Sequence, residues 1–390
     1  MKTPALFRGA SLRMRLSARL RQRDVQAQIA FVALVAAVVW GMMQVASGIE
    51  GRESAQSGFG FLWERASFEL GESLIPYKAG DTYFRAFLVG LLNTIKVAVC
   101  GIVLSTLLGL VIALGQLSPS VLMARFCRVY IEVFRNIPLL LQLIFWHTFL
   151  LRGLPVVKQA LSPVEGVYLT NRGLFVPAVR YDPAYAWVGL ALLAGAVLTV
   201  ILRKIARRRY VDFPGLWQMA LILVPPAVVF LAFGAPLDIE TPALAGFNFR
   251  GGWALSPEFT AMLIGLTLYT AAFNAEIIRA GIQGIPAGQT EAGYALGLHR
   301  RKIMRLIIIP QTLRIITPPM TNSYLSLTKE SSLAVAIGYP EVVRVANITL
   351  AETNRSIECI ALIMIIYLTL SLIISALLNL ANARVQLEQR

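Results

Sequence analysis

Two apolar stretches hold the residues best equipped for chemistry. In the stretch 313–339, the adjacent prolines Pro318 and Pro319 each lack a backbone donor, and Thr321, Asn322, Ser323, Thr328, Lys329, Glu330, Ser331 and Ser332 follow. A helix this polar does not face lipid. The expectation is a helix broken at the two prolines and buried or lining a cavity, where charges and dipole ends meet ions or zwitterions. Lys329 and Glu330 can supply the cation and the anion for such a solute; equally, they can neutralise each other or a partner subunit. In the stretch 259–278, Asn274 and Glu276 are the polar candidates, and Arg279 stands three residues beyond Glu276, on the same helix face. That pair reads as a structural lock. Lys96, inside the stretch 88–116, reads as a snorkelling side chain.

Other chemistries lack their residues. The two histidines, His147 and His299, are too few for a zinc site, and Cys100, Cys127 and Cys359 lie singly in apolar stretches with no CxxC pair, which excludes a disulfide scaffold. His147 reads as a packed helix residue and His299 as a headgroup neighbour beside Arg300, Arg301 and Lys302. No phosphate loop of the form GxxxxGK followed by Ser or Thr occurs, so the chain does not itself grip the β and γ phosphates of ATP in the usual way.

A membrane must hold these residues in place. Of 390 residues, 57% are hydrophobic and 15% charged, and the mean hydropathy is +0.66. A soluble fold cannot hide that much apolar surface. The net charge of +15 falls between apolar runs, which signals membrane topology and no nucleic-acid partner. Eight stretches are long and apolar enough for a bilayer core of about 30 Å: 29–46, 88–116, 137–151, 185–202, 216–234, 259–278, 313–339 and 357–380. The amphipathic stretch 121–134 is expected to extend the third as one helix. None alternates like a barrel strand, so the expected fold class is an all-α polytopic membrane protein with about eight transmembrane helices.

With the N-terminus inside, the inner connections carry 23 Lys and Arg and the outer ones 11, which puts both termini in the cytoplasm. The expected organisation is a basic cytoplasmic segment 1–28, an extra first helix 29–46, an external loop 47–87, and a transmembrane domain 88–390 with an inserted segment 152–257 and a cytoplasmic loop 284–310. The 29–46 stretch is longer than a signal-peptide core and reads as an uncleaved anchor. Segments 47–87 and 152–184, with Gly, Pro and paired charges, read as external loops.

From Arg279 the inner loop runs RAGIQGIPAGQTEAGYALGLHRRKIMRLIIIP. Pro286 and Gly288 are expected to break the incoming helix, Thr290 to cap a new one, and Glu291 to occupy its first turn. Ala292, Gly293 and Ala295 keep one side slim, and Gly297 is placed to end the helix in a left-handed conformation. In type and spacing, Glu291, Ala292, Gly293, Gly297, Ile307, Ile309 and Pro310 resemble the EAA loop of bacterial ABC import permeases, with Gly293 where alanine is commonest.

AEIIRAGI at 275–282, FRNIPLLLQL at 134–143 and NTIKVAV at 93–99 resemble permeases for polar amino acids, and LTKESSLAVAIGYPE at 327–341 resembles the long form found in general amino-acid importers. The resemblance implies a five-span core, extra spans, and residence in the bacterial inner membrane. It also implies an ATP-binding partner that carries ATP and Mg and docks on Glu291, Ala292, Gly293, Gly297 and Pro310. A second, related permease subunit, a periplasmic amino-acid-binding protein and a polar L-amino acid as cargo complete the expected set. Asn274, Glu276, Asn322, Lys329, Glu330 and Ser331 are the substrate-path candidates. The alternatives are a permease for opine-like or other cationic compounds, or an ion-coupled secondary transporter driven through Glu276 or Lys329.

Overall fold

The computed structural model describes residues 58–180, 182–208, 214–234 and 238–386. The expected 1–28 segment and 29–46 helix lie outside these residues. Helix α1 (Tyr83–Gln116) starts ahead of its apolar run, because the Thr82 hydroxyl oxygen accepts from the Arg85 amide at 3.3 Å and caps the helix there. Ser120 caps α2 (Val121–Asn136) in the same way, and α3 (Leu139–Gly153) follows after a bend of 101°. The expectation of one continuous helix through 121–151 is therefore corrected. Pro138 disfavours helical backbone at the residue before it, and Ile137 is accordingly extended, with ψ 126°.

The chain divides into two compact units, one from Ile144 to Ala261 and the other from the residues up to Leu143 and from Met262 onward. In the Ile144–Ala261 unit, the segments expected as loops instead form short strands. These are β1 (Leu161–Val164), β2 (Val167–Thr170), β3 (Gly173–Val176) and β4 (Ala178–Val179). Helices α4 (Ala184–Arg208) and α5 (Gly215–Ala232) pack on each other and lead to β5 (Ile239–Glu240), β6 (Ala243–Ala245), β7 (Asn248–Arg250) and β8 (Trp253–Leu255). The largest sheet is antiparallel in the order β1-β2-β3-β8, and β4 pairs with β5 and β6 with β7. Phe175, Phe249 and Val157 form the small core that the loop reading missed, with Tyr168 stacked on Phe249. His147 lies 3.8 Å from Glu258 in this unit.

The other unit carries the remaining helices. They are α6 (Pro257–Gln283, which enters it at Met262), α7 (Ala287–Ala295), α8 (Arg300–Ile303), a π turn (Met304–Ile308), α9 (Ile309–Glu330), a 3-10 turn (Ser331–Ile337), α10 (Val342–Thr353) and α11 (Ser356–Gln386). Small side chains let the helices approach: Ala113 of α1, Cys127 of α2, and Ala271, Ala272 and Ala275 of α6 pack with Ile316 and Met320 of α9.

A second cluster joins Phe61 and Ala66 to Tyr83, Phe87, Val345 and Cys359, tying the 58–82 segment onto α1, α10 and α11. There the Tyr83 hydroxyl donates to Glu352 at 2.8 Å. Lys96, expected to snorkel, forms an ion pair with Glu72 of the same segment. Burial, with Asp81 and Glu352 nearby, pushes the Tyr77 phenol up to about 12, and it donates to the Phe68 carbonyl at 3.2 Å.

The expected break at Pro318 and Pro319 is also corrected. α9 runs through both prolines, and this span bends by 48° only further on, after Gly338 turns left-handed at φ 82°. α9, packed on α1 and α11, stays helical although the carbonyls of Arg314 and Ile315 lose their helical donors. Among the described residues, five helices are long and apolar enough to cross a membrane, or seven if each of two bent pairs is one span.

Candidate functional site

The 284–310 loop builds one candidate site. Thr290 does not cap it: α7 begins at Ala287, with Pro286 at its N-cap position, so Thr290 and Glu291 fall inside the helix and not at its start. Pro286 holds φ at −56°, which suits the entry to a helix without a side-chain cap. The exit matches the expectation. Gly297 has φ +69°, its amide donates to the Tyr294 carbonyl at 2.8 Å, and the Leu298 amide reaches back to the Gly293 carbonyl at 3.0 Å. These two bonds form a Schellman motif, which satisfies carbonyls the helix end would leave bare.

Gly293 is buried, and a Cβ there would sit 2.8 Å from Cγ1 of Ile303 and 3.3 Å from Cδ1 of Ile307. Glycine therefore lets α7 lie directly on α8 and the π turn. The opposite side is bare of cover: Glu291, Ala292 and Ala295 are exposed, as are Tyr294 (53%) and Leu296 (77%). Pro310 falls one residue after the π turn. Its ring would clash with the Leu306 carbonyl in a tight α turn, and the wider π turn accommodates it.

The second candidate is a cavity of about 270 Å³ between α6 and α9. Tyr269, Thr270, Phe273 and Ile277 line it from α6 at helical spacing, and Pro319, Asn322, Ser323, Ser326 and Glu330 do so from α9. Of the sequence candidates, Asn322 and Glu330 reach this cavity. Lys329 is exposed and is absent from its lining, since neighbours on a helix face different ways. No ion pair joins Lys329 to Glu330 among the described residues.

Ser331 is buried and donates to the Thr328 carbonyl at 2.7 Å. Asn274, fully buried, stands behind the cavity: it accepts from Ser323 at 2.7 Å and donates to Ser105 at 3.3 Å, joining α9, α6 and α1. Glu276 accepts from Arg279 Nε at 3.1 Å, and Arg279 also donates to Gln283, so this carboxylate belongs to the C-terminal end of α6.

Sequence reasoning missed Arg135, whose guanidinium lies 4.9 Å from the centre of the Phe273 ring on the cavity wall. It also passed over Tyr269, Phe273 and Ser326. Counting back from Glu330 by three or four residues finds Ser326, Asn322 or Ser323, and Pro319, but only once α9 is known to be unbroken.

Bilayer-length helices, a polar cavity between two of them and an exposed, side-chain-poor helix in one connecting loop define a polytopic membrane transport component. The chain belongs to the family of binding-protein-dependent transport system inner membrane components, whose family model matches residues 105–387. It is a multi-pass inner-membrane transport subunit of that family.

The general L-amino acid transport system permease protein of Rhizobium johnstonii is 42% identical over 95% of this chain and 94% of its own length. The glutamate/glutamine/aspartate/asparagine transport system permease protein of Rhodobacter capsulatus is 40% identical over 95% of each. A crystal structure of an amino acid ABC transporter matches at 25% identity, covering 77% of this chain and 95% of that one, with a TM-score of 0.47.

Proposed function

We propose that this chain is the translocating subunit of an ABC importer for polar L-amino acids, with the 284–310 loop and both termini in the cytoplasm. The amino-acid cargo named for its full-length relatives supports the substrate class. The observation that carries the docking role is α7 itself. One face is fixed through Gly293 to the α8 and π segment, and the other presents Glu291, Ala292, Tyr294 and Leu296 to solvent. Such a helix suits a groove in a separate ATP-binding subunit, which holds ATP and Mg and pulls the loop as it closes. A second, related permease completes the pore, and a periplasmic amino-acid-binding protein delivers the cargo.

In this reading the α6–α9 cavity meets the amino acid on its way through. Glu330 accepts from the ammonium, and Asn322, Ser323 and Ser326 offer neutral partners. Arg135, over Phe273, supplies the positive field for a carboxylate. Asn274 holds Ser323 in place from behind, and Glu276 locks the inner end of α6. Among the described residues Glu330 is the sole charged group lining the cavity, which also suits a cationic, opine-like solute as a second reading.

An ion-coupled secondary transporter is disfavoured by the family match. Uptake of radiolabelled amino acids into proteoliposomes, with and without the ATP-binding subunit, tests the proposal. Uptake that proceeds at full rate without ATP and that subunit ends it.

A further inference from the structure

A larger cavity, of about 550 Å³, opens on another side of α9 and plays no part in the proposed amino-acid path. Its walls are Leu110 and Leu114 of α1, Ile278 and Ile282 of α6, a stripe of α9 from Ile309 to Tyr324, and Leu378 of α11. The hydroxyls along it, Thr312 excepted, are taken up by hydrogen bonds within the protein. Thr106 donates to the Ile102 carbonyl at 2.7 Å and pairs with Tyr324 at 2.9 Å, Thr317 bonds the Leu313 carbonyl, and Thr321 bonds the Thr317 carbonyl at 2.9 Å. Only Thr312 keeps a buried hydroxyl without a partner. A zwitterion entering here would find no charge to replace its water, so the groove is closed to the amino-acid cargo and open to a hydrocarbon chain.

The mouth of the groove has the opposite character. Between His299 and Arg314 the chain has five basic residues, Arg300, Arg301, Lys302, Arg305 and Arg314, and no acidic one. Arg301 precedes the lining residue Met304 by three residues and Arg305 precedes the lining residue Ile309 by four, so both lie on the lining side of the chain next to the loop. Both are exposed. Lys302 is exposed too, but the residues three and four further on, Arg305 and Leu306, are not part of the lining.

From this apolar groove capped by guanidinium groups we infer that the chain holds one anionic phospholipid from the leaflet on the loop side. An acyl chain lies between α1 and α9, and the phosphate meets Arg301 and Arg305. Basic pockets between membrane helices bind anionic headgroups through this combination of charge and buried hydrocarbon.

The test uses the full chain purified in detergent, exposed to mixed micelles of phosphatidylglycerol and phosphatidylcholine, with retained lipid counted by native mass spectrometry. Wild type is expected to keep phosphatidylglycerol preferentially. Arg301→Gln with Arg305→Gln is expected to lose roughly thirtyfold in apparent affinity for it, from two charges near the surface. Lys302→Gln, which removes one neighbouring charge off the stripe and away from the phosphate, is expected to change it by less than the roughly fivefold of a single contacting charge. Leu110→Trp fills the groove and removes retention while Arg301 and Arg305 remain.

Equal loss in Lys302→Gln and Arg301→Gln reduces the effect to general surface charge and overturns the site. Unchanged retention in Leu110→Trp overturns it as well. A photo-crosslinker at Leu313 that captures protein and no lipid identifies a helix as the occupant and overturns it independently of how the variants fold.

Discussion

Replacing Gly297 separates the geometry of α7, the proposed docking helix, from its surface. Among the described residues, chain neighbours aside, no atom lies within 4 Å of where a Cβ at Gly297 would stand, so a Cβ meets no obstacle there. The whole cost is conformational: φ +69° is a left-handed angle that costs an L residue about 1–2 kcal/mol, and less for Asn or Asp, whose short side chains bond locally. If the turn opens, the carbonyls of Gly293 and Tyr294 lose the amides of Leu298 and Gly297. A penalty of about 1–2 kcal/mol shifts the fraction of correctly turned loops by a factor of roughly 5–30.

Gly297→Ala is therefore expected to reduce co-purification of the ATP-binding subunit and ATP-driven uptake by about that factor, and Gly297→Asn to recover most of it. Gly297→Asp shares the conformational tolerance of Asn but adds a negative charge beside the exposed Tyr294–Leu296 face. It is expected to fall well below Asn and abolish transport while the chain still inserts. The assay is pull-down and proteoliposome uptake, both normalised to inserted protein. Two results refute the reasoning: an Ala variant that binds the ATP-binding subunit as wild type does, or an Asn variant as impaired as Ala.

Other outcomes follow from the cavity and the topology. Glu330→Gln is expected to weaken apparent substrate affinity ten- to a hundredfold, from a charge-assisted contact of roughly 1.5–3 kcal/mol. Lys329→Met, outside the cavity, is expected to stay within about twofold, a shift below roughly 0.5 kcal/mol; equal losses in the two variants defeat the cavity assignment. Asn274→Leu removes the bonds to Ser105 and Ser323, and is expected to lower stability in detergent by about 1–2 kcal/mol with selectivity unchanged in assembled protein. An unshifted melting transition with altered selectivity contradicts the clamp role. Reporter fusions at residues 1 and 390 are expected to report the same, cytoplasmic side, and opposite sides defeat the eight-span topology.

Membrane class and the turn that ends α7 were legible in the sequence because both are written in local terms. A run of apolar residues needs no partner to be recognised as a span, since the bilayer sets its length. Gly297 announces its left-handed turn because few other residues adopt one cheaply. Tertiary structure decided what depends on neighbours. Pro318 and Pro319 remove donors in any context, yet α9, packed on α1 and α11, stays one helix through them, and its unbroken period sets Asn322, Ser326 and Glu330 along one cavity and turns Lys329 away. The strands between 161 and 255 escaped notice because Phe175 and Phe249 are distant in sequence and become a core only when the chain brings them together. Gly293 read as a variant of alanine until Ile303 and Ile307 showed how little room α7 has. A spacing pattern records which way one helix faces; what it faces is settled by elements a pattern does not contain.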